Sequence, residues 1–381
     1  LQISEPGTGY LKLGGSFGYG NYEYTNDQLA GFLGNNINFG EQLNFDWGVR
    51  YEHINIAGVN HRTVPTTQAG GFDRNPLTAY DNFYGVLGQR DITFDKQLNT
   101  FSYSAGLNFK ITDNNAVYVR ATRGQKAPDV SFYQTYQTEA FAAVAPRTQT
   151  ISQVEAGYKL RMSRLNVALT PFYSLLDNVG TTSLANDTNN QLYYTPVLYN
   201  KVETIGVEVE VDYNPFKALN VRGAFTAQRA KYPAWQAYNV GANGVDDDRI
   251  VDYKGNRAEN NPNLILTLTP TYSVDKFYAL VQWSYLGDRP ANQANAYELP
   301  SFSQFDASLG YNLTKKLSFA LNVNNFTNAL GIMGSASPGT IVESFSPQNL
   351  TRAQVEANPN ALHSVVPIQP RAYFLSAAYK F

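Results

Sequence analysis

The chain has 381 residues, no cysteine and a formal charge of -2, with 16% charged and 14% aromatic residues. The lack of cysteine excludes a disulfide scaffold and a thiolate metal site, and the near-neutral charge gives no basic field of the kind that indicates nucleic-acid binding. No apolar run approaches the roughly 18 residues of a membrane-spanning helix, so that class is excluded as well.

Apolar and polar residues alternate one by one in many segments of the chain. Between positions 205 and 211, isoleucine and valine at the odd positions alternate with Gly206, Glu208 and Glu210. Because successive side chains of a strand point to opposite faces, each such segment has one apolar and one polar face. A soluble β-sandwich gives the same alternation. The segments here run to roughly 10 to 14 residues, against about 5 or 6 in soluble strands, and about 9 to 11 are needed to cross a bilayer at a tilt.

In chain order the alternation predicts about 14 strands that end at the C-terminus. The apolar faces carry tyrosine, phenylalanine and tryptophan near the segment ends, as the aromatic girdles of a membrane barrel do. The predicted strands are 10–24, 28–39, 43–56, 99–111, 115–123, 150–161, 164–176, 200–214, 218–230, 262–274, 277–288, 301–313, 316–328 and 370–381.

The connections between these strands are alternately short and long. Outer-membrane barrels have this asymmetry, with short turns in the periplasm and long loops outside the cell. The sequence therefore predicts an all-β, antiparallel transmembrane β-barrel, with 1–381 as a single domain. The predicted short turns are 40–42, 112–114, 162–163, 215–217, 275–276 and 314–315, and the predicted long loops are 57–98, 124–149, 177–199, 231–261 and 329–369.

Several segments resemble the C-terminal barrel of TonB-dependent outer-membrane receptors. Residues 120–129 (RATRGQKAPD) resemble a strand end of that family, S-x-G-F-R-A-P-x, with Gln125 where phenylalanine is usual and Lys126 where arginine is usual. Further resemblances are 152–159 to its E-x-G-Y-K strand, 202–211 to its G-V-E-x-E strand, 252–262 to its G-N-x-x-x-x-x-P loop, 321–328 to its N-V-x-N-L-F-D/N strand, and the terminal aromatic Phe381.

This resemblance implies a barrel of about 22 strands around an N-terminal plug, with the plug, the early strands and the TonB-binding segment outside this chain. It implies location in the bacterial outer membrane, no enzymatic activity and no cofactor. The implied function is TonB-dependent uptake of a scarce, bulky nutrient, with a ferric siderophore as the usual cargo and cobalamin, oligosaccharides and peptides open. The implied partners are TonB, the cargo, lipopolysaccharide and membrane lipid, but no nucleic acid. A capping surface lipoprotein stays open.

Aromatic residues of the exterior loops are candidates for ligand binding. Tyr133, Tyr136, Trp235 and Tyr238 combine an aromatic face with a polar OH or N–H group, which suits a catechol, a sugar or an amphipathic ligand. Packing within the loops, or a place in the outer aromatic girdle, explains the same residues at least equally well.

Charged residues at the strand rims and on the polar faces are a second set of candidates. Arg123 and Lys126, at the outer end of a predicted strand, could contact an anionic ferric chelate or equally the phosphates of lipopolysaccharide. Glu208 and Glu210 project from one strand face into the same lumen. We interpret them as part of a polar wall rather than as an acid–base pair.

We find no pattern that supports a catalytic triad or a metal site. The three histidines are scattered along the chain. The acidic run 246–248 with Asp252 does not match the spacing of an EF-hand and is interpreted as a solvated loop rather than a calcium site. Residues 261–264 (NPNL) resemble a box of haem receptors, but the segment 127–261 contains no histidine, so haem uptake is disfavoured.

Two other functions fit the same strands. A free-standing barrel of 14 strands could be a passive porin or fatty-acid channel, and a surface barrel could act as an adhesin through a loop such as 329–369. A plug domain encoded upstream of Leu1 would favour the receptor, and starvation for iron or a vitamin after gene deletion would exclude the adhesin.

Overall fold

The computed structural model describes residues 20–62, 90–135, 139–186, 192–241, 246–335, 350–360 and 365–381. Strands dominate these ranges, and the described helices are short and lie in the connections. No helix in the described ranges is both long and apolar enough to cross a membrane.

The elements have the following bounds. The strands are β1 (Gly20–Phe39), β2 (Leu43–Arg62), β3 (Arg90–Thr112), β4 (Asn115–Lys126), β5 (Gln149–Arg161), β6 (Leu165–Thr181), β7 (Leu184–Asn186), β8 (Leu192–Tyr194), β9 (Leu198–Phe216), β10 (Leu219–Ala234), β11 (Gln236–Asn239), β12 (Arg249–Asp252), β13 (Leu264–Val274), β14 (Phe277–Leu286), β15 (Arg289–Pro290), β16 (Glu298–Leu299), β17 (Phe302–Asn312), β18 (Leu317–Asn324), β19 (Ile332–Ser335), β20 (Val365–Pro367) and β21 (Ala372–Tyr379). The helices are α1 (Val130–Tyr133), α2 (Glu139–Ala143) and α3 (Arg352–Ala357).

Thirteen of these strands form one antiparallel sheet. Its order is β1-β2-β3-β4-β5-β6-β9-β10-β13-β14-β17-β18-β21, so each strand pairs with the sheet strands before and after it in the chain, and four of the long connections contain separate small hairpins. Those hairpins are β7–β8, β11–β12, β15–β16 and β19–β20. Among the described residues, β1 and β21 lie at the two edges of the sheet.

The two faces of the sheet differ in polarity, and we call them the apolar face and the polar face. On the apolar face, Leu107 of β3 lies opposite Val119 of β4, and each side chain is 44% exposed. On the polar face, Arg120 forms an ion pair with Asp46 at 2.8 Å. An apolar surface of this extent is unstable in water and indicates a lipid environment. Large exposed side chains on the apolar face include Tyr51, Phe101, Leu169, Ile205, Val281, Leu309 and Leu321.

The short connections lie at one end of the sheet, the turn end, and the long ones at the other, the loop end. The connection of β13 to β14 has two residues, and Asp275 adopts a φ of 49° there. Gly40, between β1 and β2, has a φ of 66°. Positive φ is what tight hairpin turns require; glycine adopts it without steric cost, and asparagine and aspartate tolerate it better than most other residues.

The predicted strand pattern is confirmed in most of the sheet but wrong at β1. This strand is continuous, so the predicted break between 10–24 and 28–39 does not exist, while positions 10–19 lie outside the described residues. Thr25, Asn26 and Asp27 look like a turn in the sequence, yet β2 pairs with the strand across all three of them. Pairing with a long neighbour overrides the weak strand propensity of these residues. The described sheet accordingly has 13 strands rather than about 14.

The long connections are also more ordered than predicted. β2 runs to Arg62 and β3 starts at Arg90, so the predicted loop 57–98 is too long at both ends. The hairpin of β2 and β3 extends past the membrane-crossing part. There several side chains on its polar-face side are apolar, because they are buried under α1 and α2. Residues 63–89 lie outside the described residues.

Candidate functional site

Two small hydrophobic cores lie at the loop end, the first under the connection from β4 to β5. The ring of Tyr133 stacks on Phe94 of β3, with 5.2 Å between ring centroids and 14° between ring planes. Ile56 and Ile92 complete the core beneath them, and Asn60 Nδ2 donates a hydrogen bond to the Tyr133 carbonyl at 2.8 Å. The core therefore fixes α1 and α2 against the extended β2–β3 hairpin.

The second core lies between β10 and the β11–β12 hairpin. Trp235 stacks on Tyr232 with 4.2 Å between ring centroids, and Ala230 and Ala258 pack around the pair. The backbone N–H of Glu259 donates to the Tyr232 hydroxyl at 3.0 Å. This core anchors the connection from β10 to β13.

Two predicted ligand-binding aromatics belong to these cores. Tyr133 is 2% exposed and Trp235 is 7% exposed, so neither ring presents a surface to a ligand in this structure. Burial raises the pKa of the Tyr133 hydroxyl to about 12. Both residues hold their loops in place, which is the packing role that the sequence left open.

The other two predicted aromatics differ in position. Tyr238 is half-buried in β11, where burial and nearby Asp248 raise the pKa of its hydroxyl. Asp248 accepts hydrogen bonds from the Tyr193 hydroxyl at 2.8 Å and from the Gly241 N–H at 3.1 Å. In the described ranges, which include 246–252, no three histidine or acidic side chains form a cluster that could hold a metal ion. Tyr136 lies outside the described residues.

The two predicted rim cations lie on opposite faces of β4. Lys126 is on the polar face and forms an ion pair with Asp129 at 2.8 Å. Arg123 pairs with Tyr103 of β3 and belongs to the same face as Val119, which is the apolar face. This placement corrects the grouping of the two residues, because the pleat of one strand cannot direct both toward a single ligand.

The polar face carries a wall of ion pairs and hydrogen bonds. Arg222 lies 3.4 Å from Asp212, and Lys159 Nζ lies 4.4 Å from the centre of the Tyr118 ring. Glu210 and Arg222 line a hollow of about 630 Å³ on this face. The arrangement is that of a polar wall, as interpreted from the sequence.

Two arginines that sequence reasoning missed lie in the loops. Exposed Arg147 has its guanidinium 4.7 Å from the centre of the Tyr199 ring, and its backbone N–H donates to the Tyr199 hydroxyl at 3.2 Å. Arg289 is 1% exposed and donates to the Gly287 and Ile332 carbonyls. Burial lowers the pKa of its guanidinium. Both arginines are distinguished by contacts with residues far away in the sequence. No local sequence pattern predicts such contacts.

The segment 321–328 owes its residues to a structural role. Asn325 is fully buried with a φ of 47°. Its side-chain amide donates to the Ala329 carbonyl at 2.9 Å and to the Gln369 carbonyl at 3.0 Å. The motif thus ties the end of β18 to the start of β21, closing the long connection between them.

A comparison with protein families decides the class of this sheet. Residues 3–326 match the family model described as "TonB dependent receptor-like, beta-barrel". The chain belongs to the TonB-dependent receptor family. Its thirteen-stranded sheet therefore forms part of the wall of an outer-membrane β-barrel, with the apolar face toward lipid and the polar face toward the lumen.

Individual TonB-dependent receptors are related to the chain at low sequence identity. The chain is 22% identical over 299 residues to the catecholate siderophore receptor Fiu of Escherichia coli O157:H7, covering 76% of this chain and 35% of that receptor. It is 22% identical over 263 residues to the probable TonB-dependent siderophore receptor PiuA of Acinetobacter baumannii, covering 68% of this chain and 34% of that receptor. The chain thus spans about a third of the length of these relatives.

Solved structures of TonB-dependent receptors share the fold. The ferric yersiniabactin uptake receptor FyuA from Yersinia pestis superposes with a TM-score of 0.64 at 14% identity, covering 96% of this chain and 47% of that one. The siderophore receptor PiuA from Acinetobacter baumannii superposes with a TM-score of 0.65 at 17% identity, covering 94% and 44%. At this identity the likeness establishes the fold alone.

Proposed function

We propose that the chain is the barrel wall of a receptor that imports a ferric siderophore with energy delivered through TonB. The observation that carries the proposal is the family match over 3–326. The relatives named as siderophore receptors support this cargo class. Family membership favours energised uptake over a passive channel or an adhesin. Such uptake makes and breaks no covalent bond, so we propose that the protein is not an enzyme.

The chemistry of the loop end supports an anionic, aromatic cargo such as a ferric catecholate. Lys126 faces the lumen at the rim of β4 and is exposed, and Arg147 presents an exposed guanidinium on the Tyr199 ring. Half-buried Tyr238 adds an aromatic face with a hydroxyl group. Cations and π-faces attract catecholate oxygens and rings respectively. We propose Lys126, Arg147 and Tyr238 as cargo contacts, with Tyr136 still a prediction.

We also propose that 1–381 is one domain, completed by further strands and a plug of the full-length protein. The support lies in β1, where Leu29, Phe32 and Leu33 are 75%, 80% and 62% exposed. Phe32 and Leu33 are adjacent and therefore lie on opposite faces. Leu33 pairs with Val49 on the apolar, lipid-facing side, whereas Phe32 pairs with Arg50 on the polar face. Exposure of Phe32 on the polar face of an edge strand is unfavourable and favours contact with further protein.

Uptake of radioactive iron by the bacterium that carries the gene tests the proposal. Deletion of the full-length gene should abolish uptake from a ferric catecholate and leave uptake from a ferric hydroxamate unchanged. A strain without TonB should lose the same catecholate uptake. Uptake that persists without TonB would indicate a passive channel, and unchanged uptake after gene deletion would reject transport of this cargo.

A further inference from the structure

Positive charge is concentrated in one sector of the turn end. From the connection after β5 to the end of the chain, each short connection contains a lysine or arginine, and all of these side chains are exposed. Asp275 is the single carboxylate side chain in the same connections. We call this set the basic rim: Arg164, Lys217, Lys276, Lys315, Lys316 and Lys380.

Hydrogen bonds between neighbouring turns hold parts of the basic rim together. The backbone N–H of Lys380 donates to the Lys316 carbonyl at 2.8 Å, and Lys276 Nζ donates to the Leu313 carbonyl at 3.0 Å. Arg164 in the same way donates to the Pro215 carbonyl at 3.1 Å.

No carboxylate among the described residues forms an ion pair with any member of the basic rim. Like charges held on adjacent strand ends without an ion-pair partner among the described residues repel one another, and a bound anion would relieve that repulsion.

The charge is not a general property of the turns. The first two short connections contain Glu41 and Asp113 instead of lysine or arginine. The basic rim is therefore a sector of the wall, from β5 to β21, rather than a uniform ring.

The basic rim lies beside an aromatic belt on the apolar face. Exposed tyrosine and phenylalanine side chains occupy the last positions of the strands next to these turns. Such belts mark the level of lipid headgroups. The belt residues here are Tyr213, Phe216, Phe277, Tyr311 and Tyr379, which are 39% to 55% exposed.

We propose that the basic rim binds the phosphates of anionic phospholipid in the inner leaflet of the outer membrane. Short turns face the periplasm, so the rim meets that leaflet, and basic clusters at a membrane surface are attracted to anionic lipid. The cations follow the wall next to the headgroup belt, which suits many lipids in a row better than one protein partner. The proposal is independent of the cargo.

Native mass spectrometry of the purified full-length protein in detergent tests this inference, with phosphatidylglycerol and phosphatidylcholine as probes. The wild type should retain phosphatidylglycerol roughly tenfold better than phosphatidylcholine, with the preference falling as salt is added. A variant with Lys217→Gln, Lys315→Gln and Lys316→Gln should lose most of that preference, and these substitutions break no side-chain hydrogen bond within the described protein. The corresponding lysine-to-arginine triple variant should keep it.

A matched control removes the same charge from the loop end. Arg249→Gln, Lys254→Gln and Arg352→Gln change three exposed cations there and should leave lipid preference unchanged. Equal retention of phosphatidylglycerol by the wild type and the rim variant would overturn the proposal. A rim variant that keeps its lipid preference but no longer binds an added acidic polypeptide would also overturn it, because the rim would then be a site for a protein partner. If the rim variant does not fold, the salt dependence of the wild type tests the proposal. A preference for phosphatidylglycerol that persists in molar salt would overturn it.

Discussion

Arg123 and Lys126 show how much the face of a strand matters for a single residue. They are three positions apart in β4, so the pleat sends one toward lipid and the other toward the lumen. The sequence contained this information, because Arg123 continues the alternation of Val117, Val119 and Ala121. Chemical type alone grouped the two cations, and periodicity separates them.

The location of these two cations on different faces predicts that only one of two matched variants loses affinity for the cargo. Lys126→Gln should weaken binding of a ferric catecholate several-fold, about the effect of one charge-assisted contact, because it removes a lumen cation. Arg123→Gln should leave the affinity unchanged. Equilibrium binding of the labelled chelate to the purified full-length receptor measures both. Equal losses in the two variants would contradict the assignment of faces.

Glu259 illustrates a residue whose titration depends on the loop core around it. Burial is the main cause that raises the pKa of this carboxyl, while a hydrogen bond from Gln293 acts in the opposite direction. With the folded pKa above the unfolded one, the unfolded loop loses its proton first as pH rises. Loop stability is therefore greatest below the unfolded pKa and falls as pH rises toward the folded pKa.

Glu259→Gln should remove this pH dependence. In the wild type, amides of the connection from β10 to β13 should exchange faster at neutral pH than at pH about 4, after correction for the intrinsic exchange rate. In the variant the corrected rates should be similar at both pH values. Hydrogen exchange followed by mass spectrometry provides the measurement, and a pH profile unchanged by the substitution would show that another group titrates.

At the scale of elements, the β2–β3 hairpin serves as a platform for the loop above it. Phe94 of β3 lies opposite Gly58 of β2 and carries the ring of Tyr133. A Cβ at Gly58 would lie 2.5 Å from the Glu23 carbonyl oxygen and 2.7 Å from Phe94 Cζ. Glycine is thus required where β1, β2 and the loop core approach one another.

Gly58→Ala should therefore destabilise both the hairpin and the helices it supports. We expect a loss of about 1–3 kcal/mol, typical of overpacking against atoms that cannot move freely. Urea unfolding in lipid vesicles and proteolysis of 127–148 are the measurements. Gly31→Ala in β1 is the control, since nothing lies within 4 Å of a Cβ there. Comparable losses in both variants would point to backbone entropy instead.

For the whole molecule, the decisive property is that one face of the sheet meets lipid and the other meets water. The apolar face has no protein cover over the described sheet, whereas the polar face has ion pairs such as Arg120 with Asp46. Backbone polar groups within a membrane must pair inside the protein, which a closed wall of strands achieves.

A charge introduced on the two faces should therefore have unequal effects. Val119→Arg places a cation on the lipid side of β4 and should cost about 2–4 kcal/mol near the bilayer centre. Thr122→Arg on the lumen side should cost little. Heat-modifiable gel mobility and urea unfolding in vesicles report the difference. If Val119→Arg were harmless, or if the protein stayed monodisperse without detergent, the lipid-facing wall would be rejected.

The sequence by itself determined most of the strands, their two faces, the separation of short turns from long loops at opposite ends of the sheet, and the family. These features are local, because period-two alternation and turn residues act over a few positions. Only the tertiary structure decided which loop residues are buried. Tyr133 and Trp235 became packing residues through contacts with Phe94 and Tyr232, and Tyr133 and Phe94 are far apart in sequence. The basic rim likewise emerged only when the strand order brought Lys316 and Lys380 to adjacent strand ends.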